Sequence, residues 1–334
     1  MSLWRYTGVW WAESDRVIRV IGVGCILFLR VAFQPVKSMT RMIRTPLGRV
    51  LLSILCTLSL PGAGAGAELQ QKTVAVFNRY VATTEARFAN ELRPGGPFLY
   101  VDALPADAQK TAYDQLKRGD ILVEKLQTKK PGDSFEVPDG IIHHWVGLAF
   151  IPSTTLAKVI PAVQDYGHRD ELYKPDVIAA RVLSHQGNDY KIFMRLYQER
   201  FTTVVFNTEY DIHWGQVDAK KVYSNSYSTR IAEVKDASHP DGEELPVGKD
   251  SGYLWRLYTY WRFQEKDGGV YVQCEAVSLT REIPTGLGWL LRPLVTKIPK
   301  ESLNKVLSRT REVVQQQIKN STQPSAFSPR TYWG

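Results

Sequence analysis

Two runs of alternating residues, Tyr253 to Phe263 and Val270 to Arg281, flank Lys266-Asp267-Gly268-Gly269, and nothing else in the chain restricts its fold as much. Asp-Gly accepts the positive φ values of a tight hairpin turn. With Asp267-Gly268 as a two-residue loop, Trp261 stands opposite Cys274, Thr259 opposite Ala276 and Leu257 opposite Ser278. One face of the hairpin then carries Trp255, Leu257, Thr259, Trp261 and Phe263 with Val270, Val272, Cys274, Ala276 and Ser278. All are apolar or small, so this is the core face. The other face carries Arg256, Tyr258, Tyr260 and Arg262 with Gln273, Glu275, Val277 and Leu279. Glu275 lies diagonally from Arg262, which reads as a cross-strand ion pair on an exposed face. Small residues facing large aromatics leave room above the core face, to be filled by a helix or kept as a cavity.

The helix is at hand. From Pro299 to Lys319, Leu303, Val306, Leu307, Thr310, Val313, Val314 and Ile318 form one apolar stripe at helical spacing. Upstream, the spacing predicts strands at Ile141 to Ile151, Val177 to Leu183, Tyr190 to Tyr197, Thr202 to Trp214 and Val222 to Val234. A helix follows Pro152, capped by Ser153 and kinked or shortened by Pro161. A polar turn region, DYGHRDELYKPD, leads on to the next strand. Ahead of all this, Glu68 to Leu92 is an amphipathic helix stopped by Arg93-Pro94-Gly95-Gly96. Pro105 to Arg118 is a second helix with Gly119 past its end, and Ile121 to Leu126 a strand. The fold class is therefore α+β: a curved antiparallel β-sheet gripping a long C-terminal α-helix, with an extra N-terminal helical portion over 68–139.

Charge and leader belong together. The chain of 334 residues has 42 Lys and Arg against 34 Asp and Glu, a formal +8. Its first 67 residues hold Arg5, Arg16, Arg19, Arg30, Lys37, Arg41, Arg44 and Arg49 against Glu13 and Asp15, which leaves the rest at +2. A polyanion-binding surface is not what this charge describes, and no nucleic-acid partner is expected. From Met39 a basic start, the apolar run Val50 to Leu60 and GAGAGA ending at Ala67 have the three-part layout of a secretory signal, with cleavage before Glu68. The apolar run is well short of the ~20 residues that span a bilayer. Residues 39–67 are thus read as a signal peptide and 1–38 as a mis-annotated extension, with a membrane hairpin as the alternative. A periplasmic or secreted location is expected. The helix-grip domain is placed at 140–320 and a tail at 321–334. Three cysteines, Cys25, Cys56 and Cys274, make no disulfide framework.

The segments IIHHWVGLAFIPSTTL, Asp165-Tyr166, SGYLWRLYTYWRF, GGVYVQCEAVSLTREIP and GLGWLLRPLVTKIPKESLNKVL, in this order, resemble the secreted bacterial branch of the START/Bet v 1-like helix-grip superfamily, also called SRPBCC or polyketide-cyclase-like. The resemblance implies an apolar cavity between sheet and C-terminal helix, and binding of a lipid-like or other hydrophobic molecule. It carries no catalytic signature.

The chemistry candidates are few. His143 and His144 are adjacent in a strand, so their side chains point to opposite faces and cannot share one ion; one packed and one surface histidine is the expectation. His168, His185, His213 and His239 show no metal spacing, there is no CxxC or GxSxG, and Cys274 reads as core filler. No metal and no cofactor are expected. In Val222 to Val234, Ser224, Ser226, Ser228 and Arg230 share a face opposite Tyr223, Tyr227 and Ile231. If the serines face outward, Arg230 is a surface charge and Tyr227 a core residue; if inward, Arg230 is a buried cation that needs a ligand anion. The candidate ligand-binding residues are Trp255, Leu257, Trp261, Phe263, Ala276, Ser278 and Arg230. Gly286 to Ile298 reads either as a short helix packed under the sheet or as a transient membrane contact through Trp289, Leu290 and Leu291. Two function classes follow: a non-catalytic binder or carrier of a hydrophobic small molecule in the cell envelope, and a cyclase/aromatase-like enzyme using the same cavity.

Overall fold

A computed structural model of the chain describes residues 67–128, 135–199, 203–282 and 288–322, with backbone only at 67, 288–296 and 320–322. The leader, the segment 1–38 and most of the 321–334 tail lie outside these residues. Strands β2 (Leu122–Lys125), β3 (Gly140–Pro152), β4 (Val177–Gln186), β5 (Asp189–Glu199), β6 (Thr203–Asp218), β7 (Lys221–Glu233), β9 (Arg256–Lys266) and β10 (Gly269–Arg281) form one sheet in the order β2-β3-β10-β9-β7-β6-β5-β4. Their pairings are antiparallel throughout. A two-stranded ribbon pairs β1 (Ala67–Glu68) with β8 (Lys249–Asp250). The β9–β10 register is the one expected: Trp261 pairs with Cys274, Thr259 with Ala276 and Leu257 with Ser278. Asp267 and Gly268 have φ of 57° and 73°, as a turn with two left-handed residues requires.

Helix α5 (Gly288–Thr322) lies across one face of this sheet, buried through Leu303, Leu307, Thr310, Val313 and Val314. Its approach depends on Gly147 in β3. A Cβ there would stand 2.6 Å from Leu307 Cδ1 and 2.9 Å from Leu303 Cγ, so any side chain would force these leucines to shift. Register shifts in β4–β5 and β6–β7 add the bends that curve a sheet around a helix. Helix α3 (Leu156–Gln164) closes one end of the same layer with Leu156, Val159, Ala162 and Val163.

The opposite face is covered too, and here the expectation of an exposed charged face fails. Helix α1 (Gln71–Glu91) lays Phe77, Tyr80, Val81, Thr84 and Phe88 on it, against Tyr260, Val277 and Leu279. The 3-10 turn Tyr100–Ala103 and helix α2 (Ala106–Lys117) cover Val146, Leu148, Phe150 and Tyr271 beside it. Glu275 and Arg262 are consequently 1% and 3% exposed. They do not pair with each other. Glu275 bonds His144 Nε2 at 2.6 Å and Arg87 of α1, while Arg262 reaches Glu91 of α1 at 2.6 Å and the Phe98 carbonyl at 2.7 Å. Two arginines and two carboxylates balance around the buried Glu275 and Arg262, with Arg87 half-buried at the edge of the network. The two histidines are both buried, at 4% and 2% exposure, because both faces of β3 are covered. His143 meets the Thr280 hydroxyl at 3.1 Å; on the other face His144 joins Tyr80 and Glu275.

Smaller differences are local. Ser153 has φ of 56° and sits in the loop, and Thr155 is the residue that opens α3. The polar stretch before β4 contains a single-turn helix, α4 (Arg169–Leu172). Residues 288–298 are the first turns of α5 itself and not a separate helix. The side chains of Trp289, Leu290 and Leu291 lie outside the described residues. Among the described residues, no helix is long and apolar enough to cross a membrane.

Candidate functional site

Between the sheet and α5 lies a cavity of about 510 Å3, within the ~300–1,000 Å3 range of pockets that take one small molecule. Its wall is built by strand alternation: Ile192 and Met194 from β5, Tyr210, Ile212 and Trp214 from β6, Ser224 and Ser226 from β7, Leu257, Thr259, Trp261 and Phe263 from β9, and Cys274 and Ala276 from β10. Leu303 and Val306 of α5 face them. Leu257, Trp261 and Ala276 sit in the middle of the sheet yet are only half-buried, whereas their neighbours Phe263 and Cys274 are buried. Helix α5 therefore grips one part of the sheet and stands off another.

Of the residues singled out from sequence, Leu257, Trp261, Phe263 and Ala276 are brought together on this wall. Ser278 is on the same face, paired with Leu257 and His143, but beyond the cavity lining. Trp255 is a correction. It stands one residue before β9, where strand alternation no longer holds, and turns to the α1 side, donating from its indole to Asp250 at 3.0 Å. Arg230 is another. The serines do face inward, but the register shift between the pairs Glu209–Arg230 and Tyr210–Ser228 inserts Thr229 and rotates Arg230 to the opposite face. There Arg230 pairs with Glu244, with Glu209 at 4.0 Å. Neither alternative weighed for this strand holds as a whole, because each assumed unbroken alternation. Tyr227, opposite the serines, packs toward α1 and bonds Glu85 at 2.8 Å.

Sequence reasoning missed Tyr210, Ser224, Ser226 and Trp214 as wall residues. Their strands show alternation, and only the pairing of β7 with β6 and β9 brings them under α5. The Tyr210 hydroxyl is buried and makes no hydrogen bond of ordinary geometry, although the Thr208 side chain lies within its influence; burial pushes its pKa up to about 12 against that lowering effect. Tyr166 accepts the Trp214 indole N–H at 3.0 Å, and burial likewise takes its hydroxyl to about 12. Burial also pushes the Cys274 thiol up, so it stays protonated and acts as a small hydrophobe. Two lining cations are paired, Lys305 with Asp176 at 2.6 Å and Arg309 with the Leu172 carbonyl at 2.6 Å and Glu312 at 3.0 Å, whereas the Arg169 Nε is buried without a hydrogen-bond partner among the described residues. Arg169 bonds the Val163 carbonyl and lies over the rings of Tyr166 and Tyr173. Among the described residues no three His, Cys, Asp or Glu side chains come together to hold a metal ion. The described residues thus make a helix-grip fold whose apolar cavity carries a few neutral polar groups.

Scans against protein-family models and against curated proteins find no match. Among solved structures, the chain is similar to a STAR-related lipid transfer protein fragment from Xanthomonas axonopodis, at 14% identity over 58% of this chain and 99% of that one, TM-score 0.39. It is similar to human STARD10 at 11% identity over 66% and 84%, TM-score 0.41. It is also similar to the Zhui aromatase/cyclase of Streptomyces sp. R1128 at 9% identity over 55% and 100%, TM-score 0.38. At these identities and TM-scores, what the cavity holds has to be read from the chain's own residues.

Proposed function

We propose that the protein binds and carries a hydrophobic, lipid-like small molecule between its sheet and α5, in the cell envelope after removal of residues up to Ala67. The observation that carries this reading is the half-buried mid-sheet group Leu257, Trp261 and Ala276 around a mostly apolar cavity of about 510 Å3. Apolar surface left unfilled inside a protein is surface a hydrophobic guest can take from water. Protein purified without detergent and extracted into organic solvent should release a hydrophobic compound identifiable by mass spectrometry. A preparation that yields none, and takes up no hydrophobic dye, would remove the reading. Export is tested separately by N-terminal sequencing of envelope-fraction protein; a mature form still carrying Met39 contradicts it. Membrane contact through Trp289, Leu290 and Leu291 belongs to the same proposal, as the point where a carrier would load.

The second reading, a cyclase-like enzyme, rests on Tyr210, which lines the cavity and whose buried hydroxyl makes no hydrogen bond of ordinary geometry. A free phenol of raised pKa can donate to a carbonyl oxygen. This reading requires that a bound polyketide-like chain be recovered changed; recovery unchanged after prolonged incubation favours the carrier.

A further inference from the structure

One strip of the otherwise mostly apolar cavity wall is polar but uncharged. Ser224 and Ser226 of β7 face the cavity beside Trp261 and Thr259 of β9, their direct strand partners, and Tyr210 stands one strand away, diagonal to Ser226. Ser228, next in the row, is already used: its hydroxyl accepts the Leu257 amide at 3.0 Å. The charged lining residues come from other elements, α4, α5, the end of β5 and the residue before β4; Lys305 and Arg309 have carboxylate partners, whereas Arg169 bonds the Val163 carbonyl and keeps a buried Nε without a partner among the described residues.

Resting on the reading of the cavity as a hydrophobic-ligand site, we infer that the ligand carries one uncharged oxygen function, a hydroxyl or carbonyl, held at the Ser224–Ser226–Thr259 strip, and no charge at that depth. A carboxylate or phosphate there would lie buried with no cation among the strip's strand partners, Trp214, Ile212, Trp261 and Thr259. A plain hydrocarbon would cover the three hydroxyls and leave them without water or partner, which is the situation in which a site discriminates most strongly. The volume admits one such molecule.

The test uses the protein as purified and a bound fluorescent dye, N-phenyl-1-naphthylamine, displaced by dodecan-1-ol, dodecanoate or dodecane at pH 8. The alcohol should displace the dye at a concentration about tenfold lower than either of the others, the effect of roughly one hydrogen bond. In the Ser224→Ala, Ser226→Ala, Thr259→Val variant that preference should shrink to less than about threefold, with dodecane binding unchanged or tighter. Ser226→Ala alone serves if the triple variant does not fold, and should lower the preference in part. Equal displacement by all three compounds, best displacement by dodecanoate, or an alcohol preference that survives the variant overturns the inference while leaving hydrophobic binding in place. No dye binding at all removes the cavity reading and this inference with it.

Discussion

The two faces of the β9–β10 hairpin are made by alternate residues of the same strands, and they are finished in opposite ways. Toward α5 the residues are apolar or small, the helix touches only part of them, and space remains over Leu257, Trp261 and Ala276. Toward α1 the residues are large and charged, yet most are covered: Glu275, Arg262, His144 and Tyr260 are buried and bonded to Tyr80, Glu85, Arg87 and Glu91, with Arg256 and Tyr258 half-buried toward one end. Burial alone would raise the Glu275 carboxyl, but the His144 hydrogen bond and the charges of Arg87 and Arg262 hold it below the ordinary carboxylate range. A polar face can thus be the rigid one and an apolar face the adaptable one. Directional partners fix α1 in one position, whereas dispersion contacts let α5 cover the sheet partially.

That contrast predicts a hierarchy of effects. Glu275→Ala, on the α1 side, leaves Arg87 and His144 facing a void and should cost about 3–5 kcal/mol in urea unfolding; a loss under about 1 kcal/mol would mean the network is not what holds α1 down. Next comes acid. Burial lowers His143 from an ordinary 6.5 to about 4, so the folded state keeps it neutral while the unfolded chain takes up a proton. Its contribution is present above pH 6.5 and is lost as the pH falls from there toward 4, amounting to about 3 kcal/mol at 1.36 kcal/mol per pH unit. His143→Leu should flatten that part of the stability curve relative to the parent; an unchanged slope would place the acid sensitivity elsewhere.

Gly147→Ala tests how firmly the helix is seated, and a cost of about 1–3 kcal/mol is expected because Leu303 and Leu307 must move. An effect near zero would show that α5 slides freely. The smallest change in stability, under about 1 kcal/mol, is expected for Ala276→Trp, which adds volume where space exists, and yet it should abolish dye uptake. Thermal unfolding and dye binding measured on the same sample check it. A large destabilisation would show that the two faces are equally filled and end the comparison.

The sequence by itself determined the elements that depend on local chemistry. The Asp-Gly turn set the β9–β10 register residue by residue, and the apolar spacing set the buried stripes of α1 and α5, since both follow from periods of two and 3.6 along the chain. It also brought Leu257, Trp261, Phe263 and Ala276 to one face. What it could not set was which surface covers that hairpin's other side. A charged strand face reads as solvent-exposed unless its partners are known, and Arg87 and Glu91 come from a helix some 170 to 190 positions earlier. Nor does alternation reveal its own interruption. A single extra residue at Thr229 sent Arg230 to the α1 side while leaving the serines under α5. Bulges and the docking of distant helices are decided by non-local contacts, and only the tertiary structure supplies those.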